Sequence, residues 1–545
     1  MLKRLRIISS DLRSSWVLLL LVATLIISIP LLIILGGFFS EGGEIWNHIL
    51  KNLVPAYVIN TFLLMLGVAA LTFILGVSTS WVVTMYRFPA RRFFEWALIL
   101  PIALPAYISG FTWAGILDYT SPVYVFLRNN FGIDTGQYLF FDVLSLPGAI
   151  IIFSLALYPY VYLITRAYFL KQSKVLFEVT ASLGLGPWQS FRRVALPMAR
   201  PAIVAGISLA LMEVLNDYGL VRYFGVDTFT TGIFNAWFAF GNLNAAIKLS
   251  VYLMVFVLAL ILLERYQRGN MRFDMGIGSG QINAKSLSSR QSVSAIIILS
   301  IPFLLGFLLP FIMMLYWATL VFDDVLTTAF WNLLRNSFVL ASLAAVTVVV
   351  FAVFIAYTVR TYPQRFVIMA ARFSTLGYAL PGAVVAIGIL VAFLWLEGQM
   401  AALSGPGIRI ALLGTWFALI YAYLVRFMAI GYNSIESGNE RVSVNLDQAS
   451  RSLGASKLKT LLSVNLPLIK GSVLAAALLV FIDVLKELPL TLILRPFSFD
   501  TLAIKAFEYA SDERLAEAAP AAVIIVLTGF IPVYLLNKMM GRGNI

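Results

Sequence analysis

Glu178-Val-Thr-Ala-Ser-Leu-Gly184, followed by Val194-Ala-Leu196-Pro197, recurs as Gln448-Ala-Ser-Arg-Ser-Leu-Gly454, followed by Val464-Asn-Leu466-Pro467. The glycines lie 270 residues apart (454 − 184), and so do the prolines. Six of the aligned positions are identical: Ser182/Ser452, Leu183/Leu453, Gly184/Gly454, Val194/Val464, Leu196/Leu466 and Pro197/Pro467. The period is close to half of the 545 residues, so the chain reads as an internal duplication with one such loop per half.

The rest of the sequence says where those halves reside. Hydrophobic residues make up 61% and charged residues 12%, with a mean hydropathy of +0.91. A soluble domain of this composition would lack the polar surface to stay in solution. Apolar runs of about twenty residues, enough to cross about 30 Å of hydrocarbon, recur about twelve times. They lie near 15–36, 57–83, 94–115, 144–165, 201–220 and 246–264, then 294–318, 337–359, 368–396, 408–428, 471–490 and 518–537. The expected fold is an all-α polytopic membrane protein: residues 1–264 form one half, 265–293 a linker and 294–545 the other half. Six spans per half is an even number, so the repeats are parallel. Smaller correspondences agree: Asn60 with Asn336, Leu104-Pro105 with Leu380-Pro381, and Arg200 with Lys470.

The net charge of +13 is concentrated in alternate connections. Lys3, Arg4, Arg6 and Arg13 precede the first span; Arg87, Arg91 and Arg92 follow the second; Arg166, Lys171, Arg192, Arg193 and Arg200 bracket the first loop. The positive-inside rule then places both termini and both repeated loops in the cytoplasm. Nucleic-acid binding explains a pI near 9.7 less well, because the cations are scattered over loops that all serve topology. The apolar run from Trp16 is too long for a signal-peptide core and reads as a retained span. With no cysteine there are no disulfides, thiolate chemistry or cysteine-bound metals. The stretch from 265 to 292, with Gly276-Ile-Gly-Ser-Gly280 and Ser286-Leu-Ser-Ser289, reads as a flexible linker. No Gly-Lys-Ser/Thr follows its glycines, and no Walker-type string occurs elsewhere, so an ATP-driven role needs a separate nucleotide-binding subunit.

The repeated loop has the chemistry of a rigid helix-turn-helix. Residues 171–183 suit a helix that Gly184 or Gly186 ends at positive φ. Pro187 suits the start of a second short helix running to about Val194, which Leu196-Pro197 closes. In the other copy Ser456 is the available cap. A rigid element of this kind transmits a push from a cytoplasmic motor where a flexible loop cannot.

The pattern resembles the "EAA" loop of ABC importer permeases, Glu-Ala-Ala with a glycine further on and then a Leu-Pro pair. It departs in Val179-Thr180 and in Gln448, which lacks the acid. The strings from Asn216 to Arg222 and from Lys486 to Leu492 resemble external segments of ferric-iron-type permeases. The resemblance implies a type I ABC importer permease in which two fused halves carry about twelve transmembrane helices. It implies that Glu178, Ala181, Gly184, Leu196, Pro197, Gln448, Ala449, Gly454, Leu466 and Pro467 dock two copies of an ATP-binding subunit. ATP and Mg would bind there, with no cofactor on this chain. It also implies residence in a bacterial inner membrane and a periplasmic binding protein that delivers ferric iron. Thiamine, a polyamine or a phosphonate is the alternative cargo.

Four acids fall at the ends of two spans: Glu213 and Asp217, and Asp483 and Glu487. Each pair, four apart, is expected on one helical face. One role is to line a cationic pathway near the external side; the other is to cap or brace the fold, with Lys486 pairing one acid and Arg222 or Arg495 another. His48 is the only histidine, a poor basis for a metal site. Competing classes are weaker. An ion-coupled secondary carrier gives no reason for paired docking loops, and a membrane-embedded enzyme needs a catalytic cluster that the spacing of His, Asp and Glu does not offer.

Overall fold

The computed structural model describes residues 14–40, 43–132, 142–171, 184, 186–268, 284–325, 327–404 and 411–542. Its long helices are α1 (Ser15–Gly37), α2 (Val54–Met85), α3 (Arg91–Ala97), α4 (Ala106–Ile116), α5 (Leu146–Lys171), α6 (Leu196–Asn216) and α7 (Leu243–Arg268). There follow α8 (Ser289–Phe303), α9 (Leu309–Leu320), α10 (Thr328–Thr361), α11 (Arg365–Ser374), α12 (Gly382–Ser404), α13 (Trp416–Glu440), α14 (Val444–Ser452), α15 (Lys470–Leu485) and α16 (Leu515–Arg542). Among the described residues nine helices are long and apolar enough to span a membrane, or eleven if each of two bent pairs counts as one. The twelfth expected segment is the shorter apolar helix Leu515–Ile531.

Two expected spans are not straight. The third turns by 94° between Ala103 and Ala106. The ninth is an amphipathic α11, a 3-10 turn Leu376–Ala379 and only then α12. The cause is the same in both. Leu104 and Leu380 precede prolines, and the residue before proline is driven from helical to extended backbone.

Contacts divide the chain into two compact units, and these cut across the sequence repeat. One unit comprises 47–232, 252–326 and 505–545. Its core is α2, α5 and α6. Residues buried along α2 (Tyr57, Thr61, Leu64, Val68, Thr72, Gly76 and Ser80) recur every three or four positions, a stripe of helical period. Glycines allow close approach here: a Cβ on Gly76 of α2 would lie 2.5 Å from Val161 Cβ, and one on Gly206 of α6 2.7 Å from Val161 Cα. Thr165 Oγ1 donates to Ser80 Oγ across the same seam (2.9 Å). The leading span of the second half, α8–α9, belongs to this unit. It contains a π turn at Leu304–Leu308, where Leu309 N–H reaches Leu304 O. Pro310 has no N–H for the next carbonyl, so Leu305 O accepts Trp113 Nε1 instead (3.1 Å). The linker also ends here. Tyr86–Arg87 (β1) pairs in parallel with Lys285–Ser286 (β2), and Ser288 with Gln291 forms a capping box on α8. Residues 269–283 lie outside the described ones; the far end of the expected flexible linker is therefore anchored.

The other unit comprises 1–46, 233–251 and 327–504. α10, α13 and α15 pack together in it. α1 from the first half packs on α11 and α12. Pro30 inside α1 leaves Ile26 O without its helical donor, and Tyr421 OH supplies one (2.6 Å). A Cβ on Gly388 would meet Pro30 O at 2.6 Å, so only glycine lets α12 pass this kink.

Candidate docking loops and the acids beside them

The second loop is described in full. Ser443 caps α14 by accepting from Asn445 N (3.3 Å). The helix ends before Gly454, whose φ of +84° strains any residue with a side chain. A Cβ there would meet nothing within 4 Å, so within this chain glycine answers a conformational demand. Ser456 caps the turn Lys457–Thr460 through Lys459 N (3.2 Å), as the sequence placed it. A π turn Leu461–Asn465 and the short Leu466–Leu468 follow.

Arg360, at the end of α10, fixes this element. Its Nε meets Asp447 Oδ2 at 2.6 Å, Nη1 donates to Asn439 O (2.8 Å) and Nη2 to Ser443 O (3.0 Å). Asp447 lies in the first turn of α14, where the helix dipole favours a carboxylate, and also accepts from Asn465 Nδ2 (2.8 Å). Ser450 and Thr460 hydroxyls join the two helices at 3.0 Å, and Tyr357 OH donates to Lys457 O (2.9 Å). On the outer side Gln448, Ala449, Gly454 and Pro467 are exposed, and Leu466 is half-buried. Leu453 is 89% exposed, with Leu446, Leu458 and Leu462 exposed near it in sequence.

In the first loop Glu178 and Ala181, with the helix expected over 171–183, lie largely outside the described residues. Gly184 has φ +71°, and Gly186 N–H donates to Gln189 Oε1 (3.2 Å). A helical turn Pro187–Ser190 and a π turn Phe191–Ala195 follow, 270 positions before the π turn of the other copy. Leu196-Pro197 does not close the helix as expected. The chain stays helical through it, from Trp188 to Asn216, with the π turn just before Pro197. Leu196 is half-buried and Pro197 exposed. Phe191 packs on Trp81 (centroids 4.8 Å), and Trp81 on Phe169 (5.4 Å). Ala195 and Ala199 join Val77, Val161 and Ile203 in the apolar cluster beneath.

The four acids do not form two helical pairs. α6 ends at Asn216 and α15 at Leu485, so Asp217 and Glu487 stand beyond the helices carrying Glu213 and Asp483. Each instead caps the short helix that follows: Asp217 Oδ1 accepts Leu220 N (2.8 Å), and Glu487 Oε1 accepts Leu490 N (2.9 Å). Asp483 pairs with Lys486 (2.7 Å). Arg495 pairs with Asp500 across the turn at Ser498. Glu487, 6% exposed, also faces Arg426 Nε at 3.6 Å. The sequence reading did not single out Arg360, Asp447, Asn465 or Arg426. Arg426 had a signal, a cation inside the apolar run 408–428.

A cavity of about 950 Å³ lies within the first-described unit, lined among others by Asp118, Tyr124, Asp142, Tyr223, Glu513 and Arg514. Burial, with Glu513 and Asp118 nearby, pushes the Tyr223 phenol up to about 12, so it is neutral at physiological pH. Among the described residues no three His, Cys, Asp or Glu side chains are grouped to hold a metal ion. His48 Nδ1 lies 3.0 Å from Asn52 Nδ2.

The profile of the binding-protein-dependent transport system inner membrane component family matches residues 72–272 and again 349–544. The chain is 30% identical to the Fe(3+)-transport system permease protein FbpB 2 of Haemophilus influenzae, over 88% of its own length and 89% of that protein's. It is 24% identical to the ferric transport system permease protein FbpB of Actinobacillus pleuropneumoniae, over 70% and 56%. To the sulfate transport system permease protein CysT of Escherichia coli it is 29% identical, over 28% and 51%. With two family domains inside a helical membrane fold, this chain belongs to the binding-protein-dependent transport system inner membrane components.

Proposed function

We propose that this chain is the membrane-spanning half of an ATP-driven importer for ferric iron. Two copies of an ATP-binding subunit engage its two loops, and a periplasmic binding protein delivers the iron. ATP and Mg bind on the partner subunits, and this chain carries no nucleotide site of its own. The observation that carries the coupling is the exposed turn at Leu453 on a frame locked by Arg360 and Asp447. Gln448, Ala449, Gly454, Leu466 and Pro467 contact one ATPase; Glu178, Ala181, Gly184, Leu196 and Pro197 contact the other. The basic connections support a cytoplasmic location for both loops and both termini. By the same rule the segments that line the 950 Å³ cavity, 114–124, 142–144 and 513–517 among them, are external. Carboxylate and phenol oxygens there suit a hard cation in passage. Glu213 and Asp483, each near the external end of its own span, are the pathway acids; Asp217 and Glu487 hold backbone.

For the cargo, similarity to the ferric permease runs along 88% of the chain, whereas that to the sulfate permease of Escherichia coli covers 28% of it. The test is uptake into proteoliposomes that hold this chain, its ATPase and its binding protein, with ferric iron in one arm and sulfate in the other. Iron is expected to accumulate only with ATP. Gly184→Asp combined with Gly454→Asp is expected to abolish both uptake and ATPase co-purification. Movement of sulfate instead of iron would overturn the cargo. Accumulation without ATP would overturn the drive.

A further inference from the structure

Arg426 stands in the middle of α13 and is 5% exposed. Its Nη1 donates to Leu380 O at 2.5 Å, the carbonyl at the break between the 3-10 turn and α12. Its Nε faces Glu487 Oε2 at 3.6 Å, in the break between α15 and the short helix Pro489–Leu494. One turn earlier on the same face, Tyr423 OH meets Thr491 Oγ1 at 2.7 Å, and Thr491 donates to Glu487 O (3.1 Å). A single helix face therefore ties two discontinuities of two other helices.

Backbone breaks within a membrane protein need internal partners, and discontinuous helices are where transporters move. A buried ion pair is a poor means of stabilisation, since desolvation offsets most of its attraction. Its merit is to fix geometry. The repeat supplies an internal comparison. At the 270-residue spacing Ala156 stands for Arg426, Phe153 for Tyr423 and Val221 for Thr491. The cap by the acid is kept in both halves; the guanidinium cross-tie has no equivalent residue in the first.

We infer that Arg426 is a positioning residue: it joins the Leu380 and Glu487 breaks of the second half into one body, so that they shift together during transport. The inference rests on the transport role proposed above.

Because the chain contains no cysteine, one introduced thiol reports alone. Leu488→Cys places it in the break, where Leu488 is 1% exposed, and Ile355→Cys, at 0%, places a control in α10 of the same unit. Maleimide labelling is followed in proteoliposomes with the ATPase, with and without ATP, and needs no cargo, so a wrong cargo leaves this test intact. Arg426→Met is expected to raise the labelling rate of the Leu488→Cys thiol about tenfold through local opening and leave the Ile355→Cys control unchanged. Arg426→Lys, which can reach only one of the two partners, falls between. If Arg426→Met does not fold, Arg426→Met with Glu487→Gln removes both charges and keeps an acceptor for Leu490 N, and the same rise is expected. In uptake assays Arg426→Met lowers substrate moved per ATP while the KM for the loaded binding protein stays the same. An unchanged rate for the thiol in the break overturns the inference. So does an equal rise for the α10 control, which would mean general loosening.

Discussion

The two repeated loops share a plan and differ in what holds it. Each has a glycine at positive φ, a short helical turn, a π turn at matching positions and a Leu-Pro pair. Beneath the first the anchor is apolar: Phe191 on Trp81 on Phe169, above Val77 and Val161. Beneath the second, the position matching Trp81 is Tyr357, which gives its hydroxyl to Lys457 O, and a guanidinium from Arg360 collects Asp447, Asn439 O and Ser443 O. The loops part again where they enter the core. The first runs without a sharp bend from Trp188 to Asn216, while the second turns by 80° at Ile469. The Ser-Leu-Gly and Leu-Pro positions are identical in the two copies, whereas the residues attaching each element to its unit differ.

Removing each anchor should have the largest effect. Asp447→Ala leaves Arg360 without its carboxylate in a site where the two side chains are 8% and 14% exposed. Breaking such a pair costs about 3 kcal/mol or more. Trp81→Ala removes the aromatic support of the first loop at a comparable cost of about 3 kcal/mol. ATPase subunits co-purified per chain are expected to fall from two toward one in either variant, and the double variant should retain none. Added salt is expected to weaken the second loop of wild type only slightly, because a largely buried pair is poorly screened. Equal loss of both ATPases from either single variant would show that the loops do not act independently.

How much of this was legible in the sequence follows from the range of the signals. Gly184 and Gly454 could be read because positive φ is a local demand that glycine meets alone, and the spans because apolar runs are contiguous. The prolines at 105 and 381 were visible, yet their breaks were overlooked inside runs that hydropathy alone counted as single spans. Arg360 and Asp447 are 87 positions apart and carry no periodic mark, so nothing paired them. Asp217 and Glu487 were put on helices because four-residue spacing implies a shared face; that holds only while the helix continues, and both helices end first. Hydropathy also says that α1 and α8–α9 are spans without saying which unit each joins.

A smaller effect tests the turn itself. Ser456 caps Lys457–Thr460 where the first copy has Gly186 followed by Pro187. Ser456→Ala should cost about 1 kcal/mol locally. Hydrogen exchange at Lys457–Thr460 is expected to rise several-fold with the ATPase still bound, since Arg360 and Asp447 hold the frame. Proline in the first copy reaches the same end by fixing φ, so no single cap residue is needed there. Loss of ATPase binding in Ser456→Ala would mean that the cap, not the ion pair, carries the second loop.

The smallest effect concerns the 80° bend. Lys470 starts α15 afresh after Ile469, whereas Arg200-Pro201 lies inside a continuous α6. Gly471 is in the first turn of α15, and a Cβ there would meet nothing within 4 Å. Its φ is not in the left-handed region, so alanine fits the backbone as it stands. Gly471→Ala should therefore stabilise the chain by a few tenths to about 1 kcal/mol by narrowing the unfolded ensemble. A slightly higher thermal midpoint in detergent, with uptake unchanged, is the expected result. The pairing matters, because a bend that flexes during each cycle would be slowed by the same substitution that stabilises it. A higher midpoint with slower uptake would make Ile469–Gly471 a hinge, and the divergence between the two loops would then be one of motion as well as of packing.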